Sequence, residues 1–174
     1  GLPVSFSNGE GITSASLQLR YNPALLSIPN GTGAVVAPGL TGASVTIDTA
    51  TTPGIAVIEF TSPTPLAAGT TRFIDLLASV PATAPYLSKH VLDFTNVVLN
   101  GGAIPALDDD SVHVVAYFGD TTANGSYSSS DASRMMRLAA GIEGGVQSYP
   151  LLDPVIIADL TGNGSVSASD TSRL

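Results

Sequence analysis

Two twelve-residue segments in the last third of the chain repeat each other. The first runs from Asp120 to Asp131 and the second from Asp159 to Asp170. They carry the same residue at positions 1, 3, 5, 6, 7, 9, 11 and 12 of the segment. One such segment could arise by chance in a turn rich in serine and glycine. Two copies in one register indicate a duplicated structural unit.

The shared positions are those that an EF-hand calcium loop uses. Such a loop takes oxygen ligands at positions 1, 3, 5, 7, 9 and 12 and needs glycine at position 6 for a sharp turn. The ligand at position 7 is a backbone carbonyl, so its side chain is free to vary. The sequence therefore predicts two calcium ions, one in each loop. The predicted ligands are Asp120, Thr122, Asn124, Ser126, Ser128 and Asp131 in the first loop, and Asp159, Thr161, Asn163, Ser165, Ser167 and Asp170 in the second.

Each predicted site has only two carboxylates, because threonine stands at position 3 and asparagine at position 5. This ligand set predicts a dissociation constant of roughly 10⁻⁶ to 10⁻⁴ M, which suits the calcium concentration outside cells. The alternative is a pair of Asx-turns that cap helices without a metal.

Residues 1–116 have the pattern of a β-sandwich, and residues 117–174 are predicted to form a separate module. Residues 15–21 alternate strictly between apolar and polar side chains, which is typical of a half-buried strand. Turn-forming clusters separate further apolar runs, as in a sandwich of many short strands. These further strand candidates are 44–47, 55–60, 73–80, 91–94, 97–99 and 111–115.

The character of the sequence changes near Tyr117. Residues 131–140 contain no glycine, proline or β-branched residue and end at Gly141, which predicts a helix. The apolar run 155–158 is compatible with a strand or a helix. We favour a helix because a second loop follows it.

Composition excludes several classes of function. The net charge of −8 argues against nucleic-acid binding, and the chain has no cysteine for disulfides, zinc–thiolate sites or thiol catalysis. No apolar run is long enough to insert into a membrane.

Only 11% of residues are charged, as in many extracellular β-proteins, so an extracellular or cell-surface location is expected. The start at Gly1 suggests a piece of a longer precursor.

No set of catalytic residues is assigned, and the chain is predicted not to be an enzyme. The chain has no Gly-x-Ser-x-Gly nucleophile motif, and His90 and His113 lie far apart in sequence. Residues 108–110 are three acids at a turn, interpreted as solvated surface, with a further calcium site as the alternative. Tryptophan is absent, which weakens a carbohydrate-binding interpretation.

The duplicated loop, with a helix after it and none before it, resembles a dockerin domain. Residues 120–141 resemble the first dockerin repeat and residues 159–174 the start of the second. Residues 11–26 resemble the early strand and turn of a cohesin domain, and residues 92–115 resemble its closing strands. A cohesin normally has one more strand before residues 2–6.

The resemblance implies a mainly β chain, in which a nine-stranded, cohesin-like jelly-roll β-sandwich precedes a small α-helical, dockerin-like calcium-binding module. It also implies a protein partner, since cohesins bind dockerins, and a chain with both halves could bind copies of itself head to tail in extracellular fibres. The implied partner-binding residues are Ser129, Ser130, Arg134, Arg137, Ala168, Ser169 and Arg173. The alternatives are an interaction tail of a secreted polysaccharide-degrading enzyme and a surface carbohydrate-binding module.

Overall fold

The computed structural model describes residues 1–150 and 152–174 and divides into two compact units. The first unit is Gly1–Val114 and the second is Val115–Leu174. The sequence had placed the boundary after residue 116. Each unit is described by itself below.

The first unit contains eight strands in two antiparallel sheets among the described residues, where the resemblance implies nine. A three-stranded sheet has the order β1-β6-β3, and a five-stranded sheet has the order β4-β5-β2-β7-β8. The strands are β1 (Leu2–Phe6), β2 (Ser14–Arg20), β3 (Ala34–Val36), β4 (Ser44–Asp48), β5 (Ile55–Thr61), β6 (Thr71–Leu76), β7 (Lys89–Leu99) and β8 (Ser111–Val114). The unit is mainly β, as predicted.

The central strand β2 has the alternation that its sequence predicts. Ala15, Leu17 and Leu19 are buried, and the residues between them are only partly covered. β2 pairs with β5 along its whole length and with β7 on its other side. Its apolar face therefore contributes to the core of the sandwich.

Aromatic side chains from both sheets meet in this core. Phe73 of β6 lies against Phe60 of β5 edge to face, with ring centroids 5.2 Å apart. Phe6 of β1 stacks on Phe73 at 4.1 Å. Because β6 and β5 belong to different sheets, the contact between Phe73 and Phe60 packs the two sheets against each other.

Among its described residues, the second unit contains three short helices and little other regular structure. They are α1 (Ser129–Ala139), α2 (Pro154–Ala158) and α3 (Ala168–Thr171), so the run 155–158 is helical, as favoured. The buried apolar side chains of this unit include Met135, Val146, Tyr149 and Ile157. Within the described chain, no helix combines the length and apolar character that a membrane crossing requires.

Candidate metal centre

The two carboxylates of the first loop converge on one threonine hydroxyl. Asp120 and Asp131 are both fully buried. Thr122 Oγ1 lies 3.2 Å from Asp120 Oδ1 and 2.8 Å from Asp131 Oδ1. Positions 1, 3 and 12 of the first loop, which the sequence assigns as ligands, are thus brought together.

The second loop repeats this arrangement. Thr161 Oγ1 lies 3.1 Å from Asp159 Oδ1 and 2.8 Å from Asp170 Oδ1. The Thr161 amide also donates to Asp170 Oδ1 at 2.8 Å, as the Thr122 amide does to Asp131 Oδ1 at 2.9 Å. The sequence repeat is therefore also a repeat of hydrogen-bond geometry.

The glycine at position 6 lets the loop turn back onto its first aspartate. Gly125 has a φ of 78° and Gly164 a φ of 83°, which favours glycine because a Cβ atom is disfavoured there. Their amides donate to the second carboxylate oxygen of Asp120 and Asp159, each at 2.7 Å. The two position-1 carboxylates are therefore oriented by the loop backbone.

The aspartate at position 12 also starts the following helix. Ser128 donates to Asp131 Oδ2 through its amide at 3.0 Å and its hydroxyl at 2.7 Å. Ser167 makes the same two bonds to Asp170 at 2.8 and 2.9 Å. Each pair is a capping box, with serine at the N-cap and aspartate at N3. The helix therefore begins at Ser129, two residues before the predicted start.

Hydrogen bonds hold three of these carboxylates in the ionised form. Burial opposes the ionisation of Asp131, but bonds from Ser128 and Thr122 outweigh it and keep the pKa of Asp131 below its ordinary value. The same balance lowers the pKa of Asp159, where the donors include the Gly164 and Asn163 amides. Burial also opposes ionisation of Asp170, whose pKa is nevertheless well below its ordinary value.

The predicted oxygen ligands of each loop fit a hard divalent cation. Two carboxylates that are held close together repel each other when both are ionised, and a cation between them removes that penalty. In the described part of the chain, no Lys or Arg forms an ion pair with Asp131, Asp159 or Asp170. All the predicted ligands are oxygen atoms, which suits calcium rather than a softer transition metal.

The asparagine at position 5 has a local partner in each loop. Asn124 Oδ1 accepts from the Ser126 amide at 2.9 Å and from its hydroxyl at 2.8 Å. Asn163 Oδ1 accepts the equivalent bonds from Ser165, also at 2.9 and 2.8 Å. These bonds fix the predicted ligands at positions 5 and 7 next to each other.

The predicted partner-binding residues occupy different environments. Ser129 and Ser130 are exposed in the first turn of α1, and Ala168 and Ser169 are exposed in the equivalent turn of α3. Arg137 is exposed but forms an ion pair with Glu143 at 2.8 Å, whereas Arg173 is exposed. Arg134 is only 25% exposed and contacts the first loop.

Sequence reasoning did not find the contact between Arg134 and the loop. Arg134 Nη1 donates to the carbonyl of Thr121 and to Ser148 Oγ, each at 3.1 Å. Ser148 Oγ donates to the carbonyl of Thr122 at 3.0 Å. Ser148 lies outside both repeats, so no pattern in the loops signals it.

Two other groups singled out in the sequence lie in the first unit. Asp108 and Asp110 come together with Asp93 of β7, with one carboxylate oxygen of each within 4.8 Å of the others. His90 and His113 are cross-strand partners whose Nε2 and Nδ1 atoms are 2.9 Å apart. Topology unites residues that are distant in sequence, which sequence spacing alone does not reveal.

Comparison with known proteins shows a partial structural similarity between this chain and a solved structure. No protein-family model matches the chain, and no curated protein matches it. The structure is similar to the "non-cellulosomal cohesin from the hyperthermophilic archaeon Archaeoglobus fulgidus", with a TM-score of 0.42 and 13% sequence identity. The match covers 57% of this chain and 65% of that one. At this level of similarity, function has to be argued from the residues of the chain itself.

Proposed function

We propose that residues 115–174 bind two calcium ions and that the chain is a secreted, non-catalytic module of protein–protein assembly. The observation that carries the calcium proposal is the duplicated arrangement of Thr122 between Asp120 and Asp131, and of Thr161 between Asp159 and Asp170. An accidental pair of turns has no reason to repeat both the ligand positions and the bonds between them.

Hydrogen bonds within each folded loop orient its two carboxylates. Backbone amides orient Asp120 and Asp159, and capping-box serines orient Asp131 and Asp170. A bound calcium ion would neutralise the two carboxylates of its loop and so stabilise the start of the following helix. Calcium is thereby a folding ligand for the second unit, which has a small apolar core and no cysteine for disulfides.

The assembly role rests on the exposed turns that follow the loops. Ser129 and Ser130 of α1, and Ala168 and Ser169 of α3, are small, exposed residues at equivalent positions of the two repeats. Small side chains allow close approach of a partner's backbone. The proposed partner is a protein, with a second copy of this chain as the first candidate, because the cohesin-like and dockerin-like segments would then supply the two sides of one contact.

A calorimetric titration of the full chain with calcium chloride tests the calcium proposal. We expect two sites per chain with dissociation constants of roughly 10⁻⁶ to 10⁻⁴ M. Asp120→Ala and Asp159→Ala should each remove one site. Asp153→Asn is the matched control, since it removes a carboxylate of the same unit but keeps the oxygen that accepts from the Val155 amide. A wild-type chain that takes up no calcium would overturn the proposal.

A further inference from the structure

Arg134 and Ser148 together hold the backbone of the first loop. Arg134 Nη1 donates to the Thr121 carbonyl at 3.1 Å and Ser148 Oγ to the Thr122 carbonyl at 3.0 Å. The two side chains also bond to each other at 3.1 Å. The backbone carbonyls at positions 2 and 3 of the loop therefore both accept hydrogen bonds from these two side chains, which are bonded to each other.

The same stretch of backbone is held on the side of the carboxylates as well. The Thr122 amide and hydroxyl donate to Asp131 Oδ1 at 2.9 and 2.8 Å. Thr121 is fully buried, and its hydroxyl donates to the backbone carbonyl of Asp131 at 3.2 Å. The predicted ligand at position 3 is therefore fixed through its amide, its hydroxyl and its carbonyl.

The described part of the chain supplies an arginine after the second loop as well. Arg173 occupies the position equivalent to Arg134, but its side chain is exposed and makes no hydrogen bond or ion pair there. The carbonyls of Leu160 and Thr161 likewise accept no bond from a side chain among the described residues.

We propose that Arg134, acting through Ser148 and the loop backbone, is a positioning residue that stabilises the folded first loop and so tightens its calcium site. This inference rests on the calcium binding proposed above. Because folding of the second unit and ion binding are proposed to be coupled, bonds that stabilise the folded loop also tighten the binding of its ion. Arg134 thus has an intramolecular role, beyond the partner contact that the resemblance implies.

Charge alone predicts the opposite effect. A guanidinium group near a calcium site repels the ion, and this repulsion would weaken binding. Glu143 offsets part of that charge, because its carboxylate lies 3.9 Å from Arg134 Nε. Removal of the arginine therefore separates the two effects by sign: lost positioning weakens calcium binding, and lost repulsion strengthens it.

The first test is calcium titration of the full chain with one loop disabled. In an Asp159→Ala background, Arg134→Gln should weaken binding at the first loop roughly tenfold, as expected for the loss of a charge-assisted hydrogen bond. Ser148→Ala should also weaken it, and Ser148→Thr should restore it because the hydroxyl is kept. Arg173→Gln in an Asp120→Ala background is the matched control and should leave affinity unchanged. Unchanged or tighter binding in Arg134→Gln overturns the proposal.

The second test needs no disabled loop. The Thr122 and Thr161 amides donate to equivalent carboxylates, so their hydrogen-exchange rates can be compared within one calcium-saturated chain. Arg134→Gln should accelerate exchange at Thr122 and leave Thr161 unchanged; equal effects would overturn the positioning role. Absence of calcium binding in the wild type would instead refute the proposed function, which calorimetry detects separately.

Discussion

Position 4 of both loops has a left-handed backbone that the sequence alone did not reveal. Ala123 has a φ of 58° and Gly162 a φ of 73°. A side chain with a Cβ atom is disfavoured there by about 1–2 kcal/mol, whereas glycine is not. The first loop therefore contains backbone strain that the second loop avoids.

Replacement of this alanine should stabilise the second unit. We expect Ala123→Gly to raise its free energy of unfolding by roughly 0.5–1 kcal/mol, since relief of the left-handed strain exceeds the added entropy of the unfolded chain. Gly162→Ala should lower it by a similar amount. A Cβ atom at Gly162 would have no neighbour within 4 Å, so the effect is one of the backbone alone. Thermal unfolding of the helical signal in calcium measures both, and a destabilising Ala123→Gly would contradict the assignment.

At the scale of residues, the sequence alone predicts how side chains are arranged where a motif fixes both residue type and spacing. The arrangement of Asp120, Thr122 and Asp131 follows from the loop pattern, because a twelve-residue loop brings its ends together. The roles of Arg134 and Ser148 do not follow from it, because they depend on how residues 141–149 fold back onto the loop. The metal itself remains a prediction.

At the scale of elements, the alternation of apolar and polar residues predicted where strands occur better than it predicted their first and last residues. β2 and β5 match their expected ranges closely. β3 was missed, because three residues are too few to show a period. β6 ends at Leu76, four residues short of the predicted end, although Ser79 still forms an isolated bridge to Ser27.

The two segments expected at 91–94 and 97–99 are one strand, β7. Asn96 lies within it with a φ of 53°, and the register with β2 shifts between Ser16 and Gln18. This is the geometry of a β-bulge, which breaks the alternation without ending the strand. The polar Thr95 and Asn96 therefore marked a bulge rather than a turn.

A histidine pair connects β7 and β8 to the turn after β2. His90 Nδ1 accepts from the Asn22 amide at 3.0 Å. His90 Nε2 must then carry the proton and donate to His113 Nδ1, at 2.9 Å. Both rings are therefore neutral in this arrangement, and protonation of either acceptor nitrogen breaks a bond.

The first unit should accordingly lose stability as the pH falls. Burial lowers the pKa of His90, and burial together with the neighbouring His90 lowers the pKa of His113. As the pH falls below about 6.5, the two histidines bind protons in the unfolded chain before they do so in the folded chain. The free energy of unfolding therefore decreases from about pH 6.5 down through the folded pKa values. Above about pH 6.5 the two histidines leave it constant.

Urea unfolding between about pH 7.5 and 5 measures this dependence. The double variant His90→Gln/His113→Gln should show a flatter profile than the wild type over the same range. Parallel profiles for the two proteins would exclude the pair as the cause.

At the scale of the whole molecule, self-association is the proposal with the largest consequence. A head-to-tail contact between two different surfaces of the same chain produces a ring if its rotation closes and an open fibre if it does not. Sedimentation in millimolar calcium should therefore show species larger than a monomer, which disappear when a chelator is added.

The exposed turn of α1 provides a specific variant for that measurement. Ser129→Arg/Ser130→Glu should abolish association, because bulky charged side chains block close approach, while both loops continue to bind calcium. Gln147→Glu, at another exposed position of the same unit, is the control. Association that persists in the double variant would refute the proposed face. A wild-type chain that stays monomeric at high concentration would favour the alternative role of an interaction tail.

The most direct test of the central claim is the effect of calcium removal on the full chain. Circular dichroism and amide hydrogen exchange, recorded with calcium and with excess chelator, report the two units separately. We predict that chelation abolishes the helical signal and the protection of residues 115–174, while the strands of residues 1–114 remain protected, because ligand binding and folding are coupled only in the second unit. An unchanged helical signal and unchanged thermal stability after chelation would contradict the account.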